Sequence, residues 1–390
     1  MRFPEFHGEW CISTIGEQFD LYSGNTPSRL NKEHFEGNVN WITSGELKEH
    51  YISDTKEKIS EDAATANNLK LLHPGTFVIA IYGLEADGVR GTGSITCKES
   101  TISQACMAFT QKGDVKNEFL YSWYKKHGNI IGIKYAQGTK QQNLSYDILE
   151  KFYIAYPSQD EQDKLIKFIS LLDERIATQS KLIEKLESLI KGINQYVFTN
   201  NGVNYKLGEL CEIRSGYSGN QLSSKNGLKV SRIETISGHK VNMERIGYVA
   251  PFDSSENYRL RIGDILFSNI NSVEYIGNTA FIDKDYDLYH GMNLLRLTPN
   301  DKVVMPFYLY LLLNTNRMLN RFKTICNKAV SQASINQTEL GKTVVQIPDI
   351  NAQKQICELY QALYDKLESE IYANSLFQKQ KQYLLRQMFI

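Results

Sequence analysis

The chain contains a tandem duplication of a unit almost half its length. Three pairs of motifs recur at nearly one offset, which is 207 − 15 = 192 residues for the first pair, 261 − 73 = 188 for the second and 348 − 157 = 191 for the third. A period this long exceeds that of any solenoid repeat, so a whole domain-sized unit is duplicated and a pseudo-twofold relation between the copies is expected. The pairs are Ile15-Gly16-Glu17 with Leu207-Gly208-Glu209, His73-Pro74-Gly75 with Arg261-Ile262-Gly263, and Pro157/Gln162 with Pro348/Gln353.

Length and composition indicate a multidomain globular protein that stays out of the membrane. A chain of 390 residues predicts two to three domains. Its longest apolar stretch, residues 305–313, is too short to span a bilayer, and no apolar signal region opens the chain. The six cysteines form no C-x-x-C pair, which predicts reduced thiols in a cytoplasmic protein rather than a disulfide framework or a zinc site.

The charge is balanced overall but differs between the two copies. Residues 1–157 contain 16 Lys and Arg against 19 Asp and Glu, a net charge of −3. Residues 201–348 contain 17 against 13, a net charge of +4. Neither copy has the strongly basic character typical of an isolated nucleic-acid-binding domain. If the protein grips DNA, local basic clusters or a partner must supply part of the phosphate neutralisation.

Each copy combines an α+β globular part with one long helix. Residues 76–82 and 264–269 have the apolar pattern of buried strands, and residues 118–126 and 307–322 the pattern of packed helices. The strand that closes the second copy is predicted at residues 344–347, with Lys342 in a turn before it. These patterns predict globular parts over 1–157 and 201–348, followed by long helices over 158–200 and 349–390.

The two long helices carry heptad seams. Apolar residues follow one another in steps of four and three, and each seam has a polar residue at an equivalent place, Gln179 or Glu370. Since a helix of this length outruns a domain of this size, we expect the two helices to pair as an antiparallel coiled coil. The seams are Leu165, Ile169, Leu172, Ile176, Gln179, Ile183, Leu186, Ile190, Ile193, Val197 and Ile356, Tyr360, Leu363, Leu367, Glu370, Asn374, Phe377, Lys381, Leu384, Met388.

The common catalytic motifs are incomplete in this sequence. No two prolines are adjacent, which excludes the Asp/Asn-Pro-Pro-Tyr/Phe motif of adenine methyltransferases. The end of a Walker loop at residues 341–343 lacks its upstream glycine, and the glycine-rich run at 88–93 precedes no predicted helix. Charged triplets at 46–48 and 54–56 could end a nuclease motif, but the second copy does not repeat them. The sequence therefore predicts no catalytic centre.

The order of these pieces resembles the specificity subunits of type I restriction-modification enzymes, over essentially the whole chain. In those proteins a target-recognition domain and a long helix alternate twice, as they do here. No single motif carries the resemblance, but their doubled order is specific. The matching segments are residues 24–28 (GNTPS), 41–47 (WITSGEL), 138–144 (GTKQQNL), 229–233 (KVSRI), 263–268 (GDILFS) and 329–335 (AVSQASI).

The resemblance implies a non-catalytic reader of double-stranded DNA. Each recognition domain would read one half of a bipartite site with an unread spacer, and the helices would set that spacer. The implied partners are two methyltransferase subunits and two restriction subunits, which act as translocase and nuclease. S-adenosylmethionine, ATP and Mg²⁺ are expected on those partners, and no cofactor is expected on this chain.

Short polar segments at predicted loops and strand ends are the candidate DNA contacts. Gln and Asn can bond adenine edges bidentately, and Lys or Arg can bond guanine. Ordinary turn chemistry explains any one of these residues about as well, but the segments 140–143 and 331–334 recur at equivalent places. The candidates are Ser28, Arg29, Lys140, Gln141, Gln142 and Asn143 in the first copy and Ser231, Arg232, Asn269, Asn271, Ser331, Gln332 and Ser334 in the second.

Two other classes of function stay open at the level of sequence. One is a stand-alone duplicated enzyme acting on nucleic acid, a nuclease or a methyltransferase. The other is a coiled-coil scaffold without a DNA role. The missing proline motif and the unrepeated carboxylates weigh against the enzyme.

Overall fold

The structure is a computed structural model that describes residues 2–86, 88–138, 142–198, 202–328 and 332–389. These residues form two compact units. Unit 1 consists of Met1–Lys181 and Tyr372–Ile390, and unit 2 consists of Leu182–Ile371. Each unit therefore contains one globular part, half of the helix that follows it and half of the other long helix.

Unit 1 is built around a mixed sheet in the order β2-β9-β6-β7-β4. A smaller sheet has the order β5-β3-β8, and β1 pairs with β10. All four residues of β6 are buried, which confirms the buried strand predicted over residues 76–82. The strands are β1 (Cys11–Thr14), β2 (Phe19–Ser23), β3 (Val39–Ile42), β4 (Tyr51–Ile52), β5 (Lys58–Ile59), β6 (Phe77–Ala80), β7 (Gly93–Thr96), β8 (Ser100–Ile102), β9 (Cys106–Gln111) and β10 (Tyr153–Tyr156).

One helix of unit 1, Asn117–Tyr135, packs on the main sheet, and the last helix of the unit is the first of the two long helices. The helix predicted over 118–126 continues to Tyr135, because Ile131 and Gly132 extend its buried face. The helices are α1 (Ile15–Gln18), α2 (Glu61–Ala66), α3 (Asn117–Tyr135), α4 (Tyr146–Leu149) and the long α5 (Gln159–Val197), with 3-10 turns at Lys32–Phe35 and Ser44–Glu46.

Unit 2 repeats the main sheet of unit 1. Its order, β12-β18-β15-β17, matches β2-β9-β6-β7, and β11 pairs with β21 as β1 pairs with β10. The strand predicted at residues 344–347 is confirmed as β21. The strands are β11 (Val203–Lys206), β12 (Cys211–Ser215), β13 (Leu228–Val230), β14 (Gly247–Val249), β15 (Ile265–Phe267), β16 (Ile270–Asn271), β17 (Thr279–Phe281), β18 (Leu295–Pro299), β19 (Asn327–Lys328), β20 (Ala333–Ser334) and β21 (Val344–Ile347).

The prediction of a single helix over residues 307–322 is wrong, because the segment forms two helices. The first ends at Leu313, and the Thr315 hydroxyl then accepts the Met318 N–H (3.3 Å) and caps the second. The helices of unit 2 are α6 (Leu207–Leu210), α7 (Pro306–Leu313), α8 (Asn316–Ile325), α9 (Gln337–Gly341) and the long α10 (Ile350–Met388), with 3-10 turns at Ile233–Ile236 and Ser255–Tyr258.

The repeated glutamates have a structural role in both units. The Glu17 carboxylate accepts the Thr14 N–H (3.0 Å) and completes a capping box at α1. The Glu209 carboxylate accepts the Lys206 N–H (2.8 Å) in the same way at α6. The duplicated Gly-Glu motif is therefore explained by helix capping.

The repeated glutamines anchor the long helices to the globular parts. Gln162 on α5 accepts the Lys116 N–H (2.9 Å) and donates to the carbonyls of Asp114 (3.1 Å) and Pro157 (3.0 Å). Gln353 on α10 accepts from an N–H just before α7 (2.8 Å) and donates to two carbonyls (3.2 and 2.9 Å). Both side chains are almost completely buried. The proline–glutamine motif thus marks the same joint in each unit.

The long helices pair antiparallel within each unit, which confirms the predicted coil. In unit 1, Lys381 binds Asp173, and the Asn374 side chain donates to the Ser180 hydroxyl (3.4 Å), so rising numbers on α5 meet falling numbers on α10. In unit 2, the Tyr360 hydroxyl donates to the Asn194 side chain. Every seam residue is buried or half-buried, including the polar Gln179. Within the described ranges, no helix has the length and apolarity needed to cross a membrane.

Candidate nucleic-acid interface

One end of the main sheet brings several candidate residues together in each unit. In unit 1, β2 and β6 finish on either side of the start of β9, where Ser23 pairs with Met107 and Ala80 with Cys106. In unit 2, β12 and β15 finish on either side of the start of β18. We call this end of each sheet the reading end. Because Asn269 and Asn271 come directly after β15, they lie at the reading end of unit 2.

A small β structure forms at the reading end of unit 2. The short strands follow the order β16-β20-β19, with Ile270 opposite Ser334 and Asn271 opposite Ala333. The Ile335 N–H also donates to the Asn269 carbonyl (2.9 Å). Three predicted residues, Asn269, Asn271 and Ser334, therefore meet in one place.

The same arrangement recurs in unit 1. Asn143 forms β-bridges with Tyr82 on one side and Gln137 on the other. The Leu144 N–H donates to the Ile81 carbonyl (2.9 Å), as the Ile335 N–H does in unit 2. Asn143 therefore occupies the position of Ser334, at the offset of 334 − 143 = 191 residues found for the duplication. Two copies of one backbone carry different side chains at the same point.

Two asparagines at the reading ends have an unused acceptor. The side-chain carbonyls of Asn143 and Asn269 are buried and have no hydrogen-bond partner among the described residues. The Asn269 amide group donates to the Ile335 carbonyl (3.4 Å). A buried acceptor without a partner is costly.

Gln142 lies between a carboxylate and a guanidinium. Its side-chain carbonyl accepts from Nη2 of Arg90 (2.7 Å), and its backbone N–H donates to Glu85 (2.8 Å). That backbone hydrogen bond is the main reason why the pKa of Glu85 is lowered. Neither Arg90 nor Glu85 is among the predicted contacts. Arg90 lies in the glycine-rich run at 88–93, whose only signal in the sequence is that of a dinucleotide loop.

The other candidates of the β16-β20-β19 region differ in side-chain exposure and in the hydrogen bonds that they already make. Asn271 donates to the Ser268 hydroxyl (3.0 Å) and accepts from the Ser272 N–H (2.8 Å), so a local turn already uses both ends of its amide. Gln332 is exposed, and Ser334 is half-buried on β20. Of these residues, Gln332 offers the most accessible side chain.

Arg29 and Ser28 are exposed in the segment after β2. The Arg29 guanidinium forms two hydrogen bonds to Glu57 (2.8 Å each) and lies over the rings of Phe35 (5.0 Å) and Trp41 (5.8 Å). The hydrogen bonds to Glu57 raise the pKa of Arg29. An exposed ion pair contributes little stability, so a DNA phosphate could replace the carboxylate.

The structure does not support Ser231 as a DNA contact, although its neighbour Arg232 is exposed. Ser231 is completely buried, and its hydroxyl accepts the Gly291 N–H (3.0 Å). Its expected role is therefore corrected to a structural one, because a buried, bonded hydroxyl has no access to a base. The exposed Arg232 side chain lies 3.4 Å from the Glu234 carboxylate. Lys140, Gln141 and Ser331 lie outside the described residues.

Comparison with known proteins matches both halves of the chain to one family. The model of the family described as "Type I restriction modification DNA specificity domain" matches residues 7–188 and again residues 201–374. These two matches include the reading ends and most of both long helices.

Individual relatives share this domain to different extents. The putative type I restriction enzyme MjaX specificity subunit of Methanocaldococcus jannaschii is 45% identical over 150 residues, which are 38% of this chain and only 35% of that protein. The MjaVIII specificity subunit of the same organism is 23% identical over 403 residues, covering 94% of this chain and 90% of the relative.

Solved structures share the fold over the full length. A type I restriction-modification S subunit from M. genitalium has 17% sequence identity and a TM-score of 0.59, covering 100% of this chain and 99% of the other. The HsdS subunit from Thermoanaerobacter tengcongensis has 17% identity and a TM-score of 0.52, covering 100% and 98%. At this identity the likeness concerns the fold alone.

Proposed function

The chain belongs to the type I restriction modification DNA specificity family, and we propose that it is the non-catalytic specificity subunit of a complex that methylates and cleaves DNA. The observation that carries this proposal is the family domain found twice on one duplicated frame, over residues 7–188 and 201–374. Such a subunit selects the DNA sequence, while its partners carry out the chemistry. The family match favours this function over a stand-alone nuclease or methyltransferase.

Each unit reads one half of a bipartite DNA site in this proposal. The support is that the two reading ends share a backbone arrangement but differ in side chains, with Gln142 and Asn143 in unit 1 where unit 2 has Ala333 and Ser334. Base edges are distinguished by hydrogen-bond donors and acceptors in the major groove. Different side chains on one frame would therefore read different half-sites.

The paired helices set the spacing between the half-sites and dock the partner subunits. Each of α5 and α10 has 39 residues and contributes to both units, so it connects one reader to the other. The proposed partners are double-stranded DNA, two methyltransferase subunits and two restriction subunits. S-adenosylmethionine, ATP and Mg²⁺ would bind to those subunits and not to this chain.

Mapping of methylated adenines across the genome, with and without this gene, tests the proposal. We expect a bipartite sequence with an unread spacer to lose its methylation when the gene is deleted. An unchanged methylation pattern would contradict the proposal. Methyl transfer to DNA by the purified chain alone would instead favour the stand-alone enzyme, and the absence of any sequence-selective footprint in the full complex would favour the scaffold.

A further inference from the structure

The orientation of Gln142 at the reading end of unit 1 is set by Arg90. The Gln142 side-chain carbonyl accepts a hydrogen bond from Nη2 of Arg90 (2.7 Å). The backbone of Gln142 is held as well, since its N–H donates to Glu85 (2.8 Å) and its carbonyl accepts the Leu84 N–H (3.1 Å). A glutamine fixed at both its backbone and its side chain presents one defined set of groups.

Arg90 is itself held in place from behind. Its aliphatic stem packs against Gly132 on α3, where an added methyl group would lie only 2.5 Å from Cγ of Arg90. Glu85 interacts with Arg90 electrostatically, although no ion pair within 4.0 Å joins the two, and the buried Nε of Arg90 has no hydrogen-bond partner among the described residues. Guanidinium carries five N–H donors in a planar fork, so one bond to Gln142 leaves donors for a ligand.

This pairing changes which base Gln142 can read. Bidentate recognition of adenine requires glutamine to accept from N6 and donate to N7, and Arg90 already takes one of the two lone pairs of the carbonyl that would accept. Guanine presents two acceptors, O6 and N7, in the major groove. Arg90 and Gln142 together present donors: the remaining guanidinium N–H groups and the Gln142 amide N–H groups.

We propose that Arg90 and Gln142 act together as a guanine-reading pair in the half-site of unit 1, with Arg90 as a specificity-determining residue. This inference rests on the proposed function. It replaces the simpler expectation that Gln142 alone bonds adenine, and it adds a residue from a separate loop to the reader.

In unit 2 the equivalent described positions hold no such pair. Gly91 and Gly277 occupy equivalent turns just before β7 and β17, both with left-handed backbone (φ +74° and +85°). The residue before each glycine is Arg90 in unit 1 and Ile276 in unit 2, and Ile276 is completely buried in an apolar core with Ala333. The guanine preference should therefore be confined to one half-site.

The experiment uses the full chain in its complex with the methyltransferase subunits and maps the methylated sites of Arg90→Met and Gln142→Leu variants. We expect the wild-type complex to require guanine at one position of one half-site. Arg90→Met should reduce that preference about 5- to 150-fold, the discrimination of one good bidentate contact, and should let adenine be accepted there, because the Gln142 carbonyl is released. Gln142→Leu should weaken the preference without the gain of adenine.

The control is Lys134→Met, which removes an exposed cation from the same helix, α3, that supports Arg90. It should leave both half-sites unchanged. The inference is overturned if Arg90→Met and Gln142→Leu both methylate the wild-type sequence with unchanged selectivity, or if no guanine is required in either half-site. If Arg90→Met does not fold, the Gln142→Leu result decides. Absence of sequence-specific methylation by the wild-type complex would instead count against the proposed function.

Discussion

Gln162 is a buried polar residue whose loss should destabilise unit 1 more than the loss of many apolar residues. Its side chain is 0% exposed and makes three hydrogen bonds to backbone groups around the start of α5. Methionine has a similar length and volume but cannot form them. The Gln162→Met variant therefore separates hydrogen bonding from packing at this joint.

The expected loss follows from the three bonds. A buried hydrogen bond contributes roughly 1 kcal/mol net, and an orphaned partner costs about 1–3 kcal/mol. Water can reach the half-buried Lys116 and the exposed Asp114, so we take the lower figure for each bond and expect a loss of about 3 kcal/mol. For a unit of about 200 residues, this lowers the melting temperature by roughly 6–12 °C.

Urea unfolding and amide hydrogen exchange measure this effect in the full chain. The Lys116 N–H donates to the Gln162 side chain, so the Lys116 amide should lose its protection from exchange in Gln162→Met. The Met305 N–H donates to Gln353 instead, so the Met305 amide should keep its protection in that variant. Gln353→Met should give the reverse pattern. The matched control is Gln159→Met at the exposed start of α5, with an expected change within about 0.5 kcal/mol. Unchanged stability together with unchanged Lys116 protection would refute the reasoning.

Three further predictions concern pH, modularity and spacing. Burial lowers the pKa of His50, but the hydrogen bonds to Asp173 and Glu118 outweigh burial and raise the pKa. The protonated ring should therefore stabilise unit 1 fully below about pH 6.5, and this stabilisation should be lost as the pH rises through the raised pKa. Unfolding measured over a series of pH values should show this slope in the wild type and not in His50→Gln. Exchange of residues 203–347 for another recognition domain should change one half-site in methylation maps, and a change in both would contradict two independent readers. Four residues inserted in α5 after Gln179 add about 6 Å, so methylation of targets differing only in spacer length should shift the optimum by about one or two base pairs at ~3.4 Å each, whereas an unchanged optimum in an active variant would argue against the spacing role.

The long helices could be predicted from the sequence because their signal is repeated over many turns. A single misleading residue, such as Gln179, does not hide a seam that continues on both sides. The break between α7 and α8 had no comparable signal, since apolar residues continue at helical spacing across it. The only local signal is the cap residue Thr315, and a tertiary contact adds to it: the Asn314 amide donates to the Thr279 hydroxyl (2.6 Å) on β17. Local pattern cannot show a contact 35 residues away.

The site was harder to predict than the fold for the same physical reason. Gln142 and Asn143 could be singled out because the segment recurs, but Arg90 is 52 residues from Gln142 in sequence and has no periodic pattern around it. Ser231 was predicted at a loop or strand end, but its hydroxyl accepts a hydrogen bond from the Gly291 N–H inside the unit. The direction of a side chain next to a strand end depends on which distant segment packs against it. The sequence alone does not show which segment that is.

The duplication shows where this fold tolerates change and where it does not. Gln162 and Gln353 make equivalent bonds in both units, because any replacement would leave several backbone groups without partners. At the reading ends the backbone bonds also recur, but they need only N–H and carbonyl groups, so the side chains are free to differ. The same backbone positions carry a polar pair in unit 1, Arg90 and Gln142. In unit 2 they carry two buried apolar residues, Ile276 and Ala333. A scaffold that fixes the strands without using their side chains can acquire a new DNA preference in one unit while the other keeps its own.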